Sequence, residues 1–122
     1  MQECGLTVTE DAIGNIFGTL EGTDPTLSPV WSGSHIDTVL NAGMFDGMAG
    51  VISAIEALRA IKESGLEHKR NLTAIVYTSE EPTRFGISCI GSRAMAGHLT
   101  LEDSKKMKDE QGLSLIHISE PT

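Results

Sequence analysis

The chain has 122 residues, 39% of them hydrophobic, and a formal net charge of -8 at pH 7. That length allows at most one domain with a modest core. The acidic balance argues against nucleic acid and against anionic membrane surfaces as partners. No apolar run reaches membrane-spanning length, and the start is not signal-like. Cys4 and Cys89 lie too far apart for a metal or redox spacing. They are expected to be free thiols in a reducing, cytoplasmic setting, with a single disulfide as the alternative.

Met1–Gly5 reads as a final turn closed by a glycine suited to a helix C-cap. Leu6–Thr9 and Ile16–Leu20 alternate as strands do, with turn chemistry at Asp11–Asn15, so a hairpin-like pair is expected. Gly22–Pro29 is rich in breakers and reads as a loop. Val30–Ser34 is a short strand that delivers His35. After a turn at Asn41–Gly43, Asp46-Gly47 opens a helix over Met48–Lys62. Its Met48, Val51, Ile52, Ile55, Leu58 and Ile61 repeat at three- and four-residue steps, which predicts one buried face and a stop near Ser64-Gly65. His68–Arg70 is a basic surface turn. Leu72–Thr78 is apolar at successive positions from Ala74 to Tyr77, as in a strand covered on both faces. Beyond an irregular Arg84–Ser92, helices are expected within Gly91–His98 and Leu101–Glu110.

The last ten residues, Leu113–Thr122, look like the conceptual translation of a transposon-end adapter used in sequencing libraries. On that reading residues 113–122 are not natural sequence, and residues 1–112 are the N-terminal part of an incomplete catalytic domain. A genuine C-terminal strand is the alternative.

The chemistry concentrates at the carboxyl ends of two predicted strands, where open α/β sheets collect ligands. A His two residues from an Asp can be a metal ligand with its carboxylate support, or a surface His beside a loop Asp. His35 and Asp37 form such a pair. Asp46 can be a helix N-cap, or a carboxylate that gives one oxygen to each of two cations. Glu80 and Glu81 are neighbours, so their side chains diverge and do not grip one ion together. A division of labour follows, in which one ligates and the other acts as general base, unless the pair is only a solvated acidic turn. Glycoside hydrolysis needs two carboxylates facing each other across about 5–9.5 Å, which adjacent residues rarely do. Taken together, Asp37, Asp46, Glu80 and Glu81 would crowd negative charge into one cleft. Divalent cations would neutralise it and activate water.

Gly33-Ser34-His35-Ile36-Asp37-Thr38-Val39, Gly43-Met44-Phe45-Asp46-Gly47 and Thr78-Ser79-Glu80-Glu81-Pro82-Thr83-Arg84-Phe85 resemble the allantoate and ureidoglycolate amidohydrolases. These are grouped with the N-carbamoyl-L-amino-acid hydrolases, all relatives of aminoacylase-type dinuclear metallopeptidases. The resemblance covers about positions 1–100. It implies an α/β fold, a three-layer twisted sheet flanked by helices. It implies two divalent metal ions, Mn²⁺ or Zn²⁺, with His35 on one, Glu81 on the other and Asp46 bridging. Glu80 would be the general base, and Asp37 would orient His35. Arg84 lies in the motif without an assigned substrate contact, while His68 and His98 are expected at the surface. The implied substrate is a small ureide, with an N-carbamoyl amino acid or a peptidase-type substrate as the alternative and a non-catalytic binding module as the other class. The family also has further metal ligands and a dimerisation domain downstream. The parent is therefore expected to be a homodimer, and the isolated chain to fold poorly and lack activity.

Overall fold

The structure, a computed structural model, describes residues 1–119, the last two by backbone alone. A 3-10 turn at Gln2–Cys4 closes at Gly5, whose φ of 69° suits the expected glycine stop. Strands β1 (Thr7–Glu10) and β2 (Ile16–Leu20) then form the hairpin, in register from Thr7↔Thr19 to Glu10↔Ile16. The turn between them is built by Asp11, whose carboxylate accepts the N–H groups of Ile13 and Asn15.

Strand β3 (Val30–His35), helix α1 (Met48–Ser64) and strand β4 (Leu72–Tyr77) make a β-α-β unit. The sheet order is β1-β2-β4-β3, with β4 antiparallel to β2 and parallel to β3. The result is the expected α/β sheet with flanking helices. Central placement explains the apolar run of β4, in which Thr73, Ala74, Ile75 and Val76 are all buried. Burying a side chain such as Ile75 contributes roughly 1.5–3 kcal/mol.

Helix α1 ends at Gly65, φ 69°, close to the expected stop. It meets the sheet through Val51, Ala54 and Leu58, and the latter two pack with Leu6 and Ala74. The expected face is broader than this. Met48 and Ile52 are 42% and 51% exposed, because a helix on a sheet touches it along one stripe and these two flank it. On the other face of the sheet the Trp31 ring lies 6.4 Å from that of Phe17.

Helices α2 (Ile90–Met95), α3 (Leu101–Lys106) and α4 (Leu115–Ser119) follow. Ile90, Met107 and Leu115 bring them together in a second apolar cluster, joined by Ile13, Phe85, Ile87 and Leu99. Both α2 and α3 are shorter than expected. Gly97 turns the chain at φ 72°, and Met107 leaves the helical conformation where its side chain enters the cluster. From Leu113 the chain bridges Ser114 to Lys108 and then forms α4 rather than the alternative strand; residues 120–122 of that stretch lie outside the described residues. Both cysteines are free, and among the described residues no helix is long and apolar enough to cross a membrane.

Candidate metal centre

Parallel pairing of β3 with β4 sets His35 opposite Tyr77, so the segments leaving both strands start side by side. From β3 the chain carries His35 and Asp37; from β4 it carries Thr78 to Glu81. Helix α1 begins beside them at Gly47, its N-cap, with φ 71° and no side-chain cap. A Cβ at Gly47 would stand 2.6 Å from the His35 ring, so only glycine admits this approach of helix to imidazole. Asp46 is therefore not the N-cap, the alternative role open to it.

His35 is 8% exposed. Its Nδ1 lies 2.8 Å from the main-chain oxygen of Asp37, which can only accept, so Nδ1 is the donor there and Nε2 is the ring nitrogen turned to the acidic groups. Strand periodicity assigns this task to the Asp37 carboxylate, on the premise that both residues sit on one strand. β3 ends at His35, and the carboxylate stays within ion-pair reach of the ring, its Oδ1 3.6 Å from Nδ1, while it also bonds across to the next strand. It accepts the backbone N–H groups of Glu80 at 3.3 Å and Glu81 at 2.9 Å. Asp37 thus ties the end of β3 to the carboxylate pair beyond β4.

One ligand atom from each of His35, Asp46 and Glu81 lies within 4.8 Å of the others. Ligand atoms about 2.0–2.2 Å from one ion sit at most about 4.4 Å apart, so the three stand close enough to gather on one cation or, with Asp46 between, to serve two adjacent ones. An imidazole with two carboxylates suits a divalent transition metal. The Glu81 carboxyl is held above its ordinary pKa, first by loss of solvent and then by repulsion from Glu80, Asp46 and Asp37, against the pull of His35. Such a group favours a cation as its neighbour. Glu80 stands beside the trio, with Oε2 3.7 Å from His35 Nε2 and Oε1 3.3 Å from the Cys89 sulfur. The Cys89 thiol donates that bond, which with burial raises its pKa. A cavity of about 250 Å³ opens alongside, lined in part by Asp37, Ser79, Glu81 and Thr83.

The peptidase family M20/M25/M40 pattern matches residues 31–122. The chain belongs to that family. A ureidoglycolate hydrolase from Arabidopsis thaliana is 52% identical over 95% of this chain, and an N-carbamoyl-L-amino-acid amidohydrolase from Pseudomonas sp. (strain NS671) is 44% identical over 89%. The crystal structure of AtUAH in complex with (S)-hydroxyglycine superposes with a TM-score of 0.88 and 48% identity over 97% of this chain. The chain spans only 25%, 26% and 28% of these three proteins, respectively.

M20 proteins are metal-dependent, and the donor set of His35, Asp46 and Glu81 fits that chemistry. In this M20 chain Arg84 turns to Asp109, 3.2 Å away, and stacks over the Phe85 ring. His98 is exposed, while His68 is half-buried and holds the Arg70 carbonyl. Sequence reasoning missed Cys89 as a neighbour of Glu80, and it read Asn15 only as part of a turn. Spacing gave no signal for Cys89, since its nine-residue separation from Glu80 is closed by an irregular loop.

Proposed function

We propose that the full-length protein carrying this chain hydrolyses linear C–N bonds in ureido compounds, with ureidoglycolate or allantoate as substrate. The observation that carries this reading is the convergence of His35, Asp46 and Glu81, with Glu80 at their side. The likeness to a plant ureidoglycolate hydrolase supports the substrate class. The second reading, an N-carbamoyl-L-amino-acid substrate, draws on the likeness to the Pseudomonas protein. Substrate profiling separates the two.

Two divalent cations, Mn²⁺ or Zn²⁺, belong to the proposal; when bound they would polarise the scissile carbonyl and make water a better nucleophile. His35 would hold one through Nε2, Glu81 the other, and Asp46 both. Glu80 would act as general base. Its Oε1 is engaged by the Cys89 thiol, which leaves Oε2 to take a proton from the attacking water and return it to the leaving nitrogen. Asp37 would orient His35, whose Nδ1 meets its main-chain oxygen at 2.8 Å, and would also position Glu80 and Glu81 through their backbone. A small ureide as partner, a homodimeric parent and a cytoplasmic location complete the proposal, as does the adapter origin of residues 113–122. So does inactivity of the isolated chain, which ureide hydrolysis by residues 1–122 alone would overturn.

The test is Glu80→Gln in the full-length protein. The expected outcome is a fall in kcat of at least ~10²-fold with metal content unchanged, the usual scale of general acid–base catalysis. Unchanged turnover would remove Glu80 from that role.

A further inference from the structure

Asn15 is 0% exposed, one of the most deeply buried side chains described, and it sits where the β2–β4 ladder ends. The last pair of that ladder is Ile16↔Val76. Beyond it the backbone of Asn15 turns away, its N–H bonded to the Asp11 carboxylate and its carbonyl accepting the Asp11 N–H. The side chain goes on where the backbone leaves off. Its Oδ1 accepts the Thr78 N–H at 2.9 Å, and its Nδ2 donates to the Gly91 carbonyl at 3.2 Å and to Asp11 Oδ2 at 2.8 Å. Thr78 N–H can only donate, and the other two partners can only accept, so the amide has one possible orientation. It stands in for the missing peptide of a strand, and only a carboxamide offers both a carbonyl and an N–H in this span.

What it holds is the turn into the carboxylate pair. Ser79 lies in the left-handed region at φ 46°, a conformation that persists for a non-glycine residue only where its surroundings impose it. On the far side the turn is fixed by Asp37, through the N–H groups of Glu80 and Glu81. Along α2 the N–H groups of Cys89, Ile90 and Gly91 donate to the carbonyls of Glu80, Ser79 and Thr78. Asn15 closes the near side, bonding both to Thr78 and to the Gly91 peptide that also holds Thr78. The fit is close. A Cβ at Gly91 would collide with Asn15 Oδ1 and stand 2.8 Å from the Thr78 oxygen.

We propose that Asn15 is a positioning residue, whose carboxamide clamps Thr78 to Gly91 and so sets where the Glu80 and Glu81 carboxylates stand. It touches neither substrate nor cation and works through the backbone of Thr78. The inference rests on the reading that Glu80 and Glu81 are the working carboxylates.

The experiment uses the full-length protein with Asn15→Ala, Asn15→Asp and the exchange Asp11→Asn/Asn15→Asp, beside Glu80→Gln. Asn15→Asp keeps the acceptor for Thr78 but loses both donors. It also sets a carboxylate against Asp11. Each single variant is expected to lower kcat per metal-loaded site by about tenfold or more, since misplacement of about 1 Å can cost ~10²-fold, with KM within about twofold. The exchange restores the bond between positions 11 and 15 and is expected to recover part of the loss. A merely structural residue would change Tm and yield but not kcat per loaded site. Wild-type kcat in folded, loaded Asn15→Ala and Asn15→Asp proteins overturns the proposal. If neither folds, hydrogen exchange at the Thr78 amide of the unaltered protein decides: protection supports the clamp, and exchange at the rate of a free amide overturns it. An active Glu80→Gln would sink the underlying reading. An inactive Glu80→Gln beside fully active Asn15 variants would sink this inference alone.

Discussion

The chain uses acidic side chains in two ways, and the outer face of α1 (Met48–Ser64) and the ends of β3 (Val30–His35) and β4 (Leu72–Tyr77) show the contrast. On α1, Glu56 and Glu63 lie one turn to either side of Arg59, whose guanidinium reaches them at 2.6 and 3.4 Å. Glu56 and Glu63 thus have a local partner, and the hydrogen bond that Arg59 donates to Glu56 raises the Arg59 pKa further. At the strand ends Asp37, Asp46, Glu80 and Glu81 gather round one imidazole, and the Glu81 carboxyl is pushed up rather than down. Acid on a solvated helix is compensated by protein. Acid at the strand ends is engaged by backbone N–H groups at Asp37 and by a thiol at Glu80. No Lys or Arg partner is among the ion pairs of the described residues there, and on the proposed function a cation would compensate it. Carboxylates that lose solvent and repel one another are the kind of group that divalent cations neutralise.

The largest expected effect in this comparison comes from the residue that arranges the site without ligating. Asp37→Ala would leave the Glu80 and Glu81 N–H groups without their acceptor, and both carboxylates free to drift. Supporting residues of this kind typically change metal affinity 10- to 100-fold. A drop of about that size is expected in the full-length protein by competition with a chelating dye. Affinity equal to that of the unaltered protein would show that the backbone of Glu80–Glu81 holds its place without Asp37.

A smaller effect follows from pH. The folded chain without cations binds the Glu81 proton more tightly than the unfolded chain does. The stability contributed by this group is therefore fully present below the unfolded-state pKa and is lost as pH rises through the raised folded-state value. A cation offsets the loss of solvent and the repulsion that cause this, and ligation itself requires deprotonated groups. The gap in Tm between cation-loaded and chelator-treated protein is thus expected to widen from about pH 4 to about pH 7. A gap that stays constant would mean that Glu81 does not face the cation.

The two regions are not equally legible in the sequence. The strands and α1 can be read because alternation, a three-to-four step and the breakers at Gly65 and Pro29 are local signals. His35, Asp37, Asp46, Glu80 and Glu81 can be singled out as a group because their residue types are rare together at predicted strand and helix ends. The choice of Glu81 over Glu80 as ligand is implied only by the family resemblance. The destinations of side chains are harder. Strand periodicity assigns Asp37 to His35, but not the bonds its carboxylate also makes across to the next strand, which depend on the parallel register and on the turn at Ser79. Asn15 looks like any turn asparagine until Thr78 and Gly91 are brought to it. Met107 ends α3 (Leu101–Lys106) early for the same kind of reason, because a tertiary cluster outweighs helical propensity.

The smallest effect lies on α1, and it tests whether compensation there is local. Glu56, Arg59 and Glu63 are each about half exposed or more, so water already screens them and their side chains lose entropy in pairing. Their spacing of three and four residues gives helix pairs that contribute a few tenths of a kcal/mol at most in isolated helices. Arg59→Ala is therefore expected to change Tm less than Asp37→Ala or Asn15→Ala does, with the difference vanishing in high salt. It is also expected to leave cation affinity at His35, Asp46 and Glu81 unaltered, because screening confines its field to about 10 Å at ordinary ionic strength. If removing this one positive charge instead weakened or strengthened cation binding, the acidic groups of the chain would be coupled as a single field. The division between a protein-compensated helix and a cation-compensated site would then have to be abandoned.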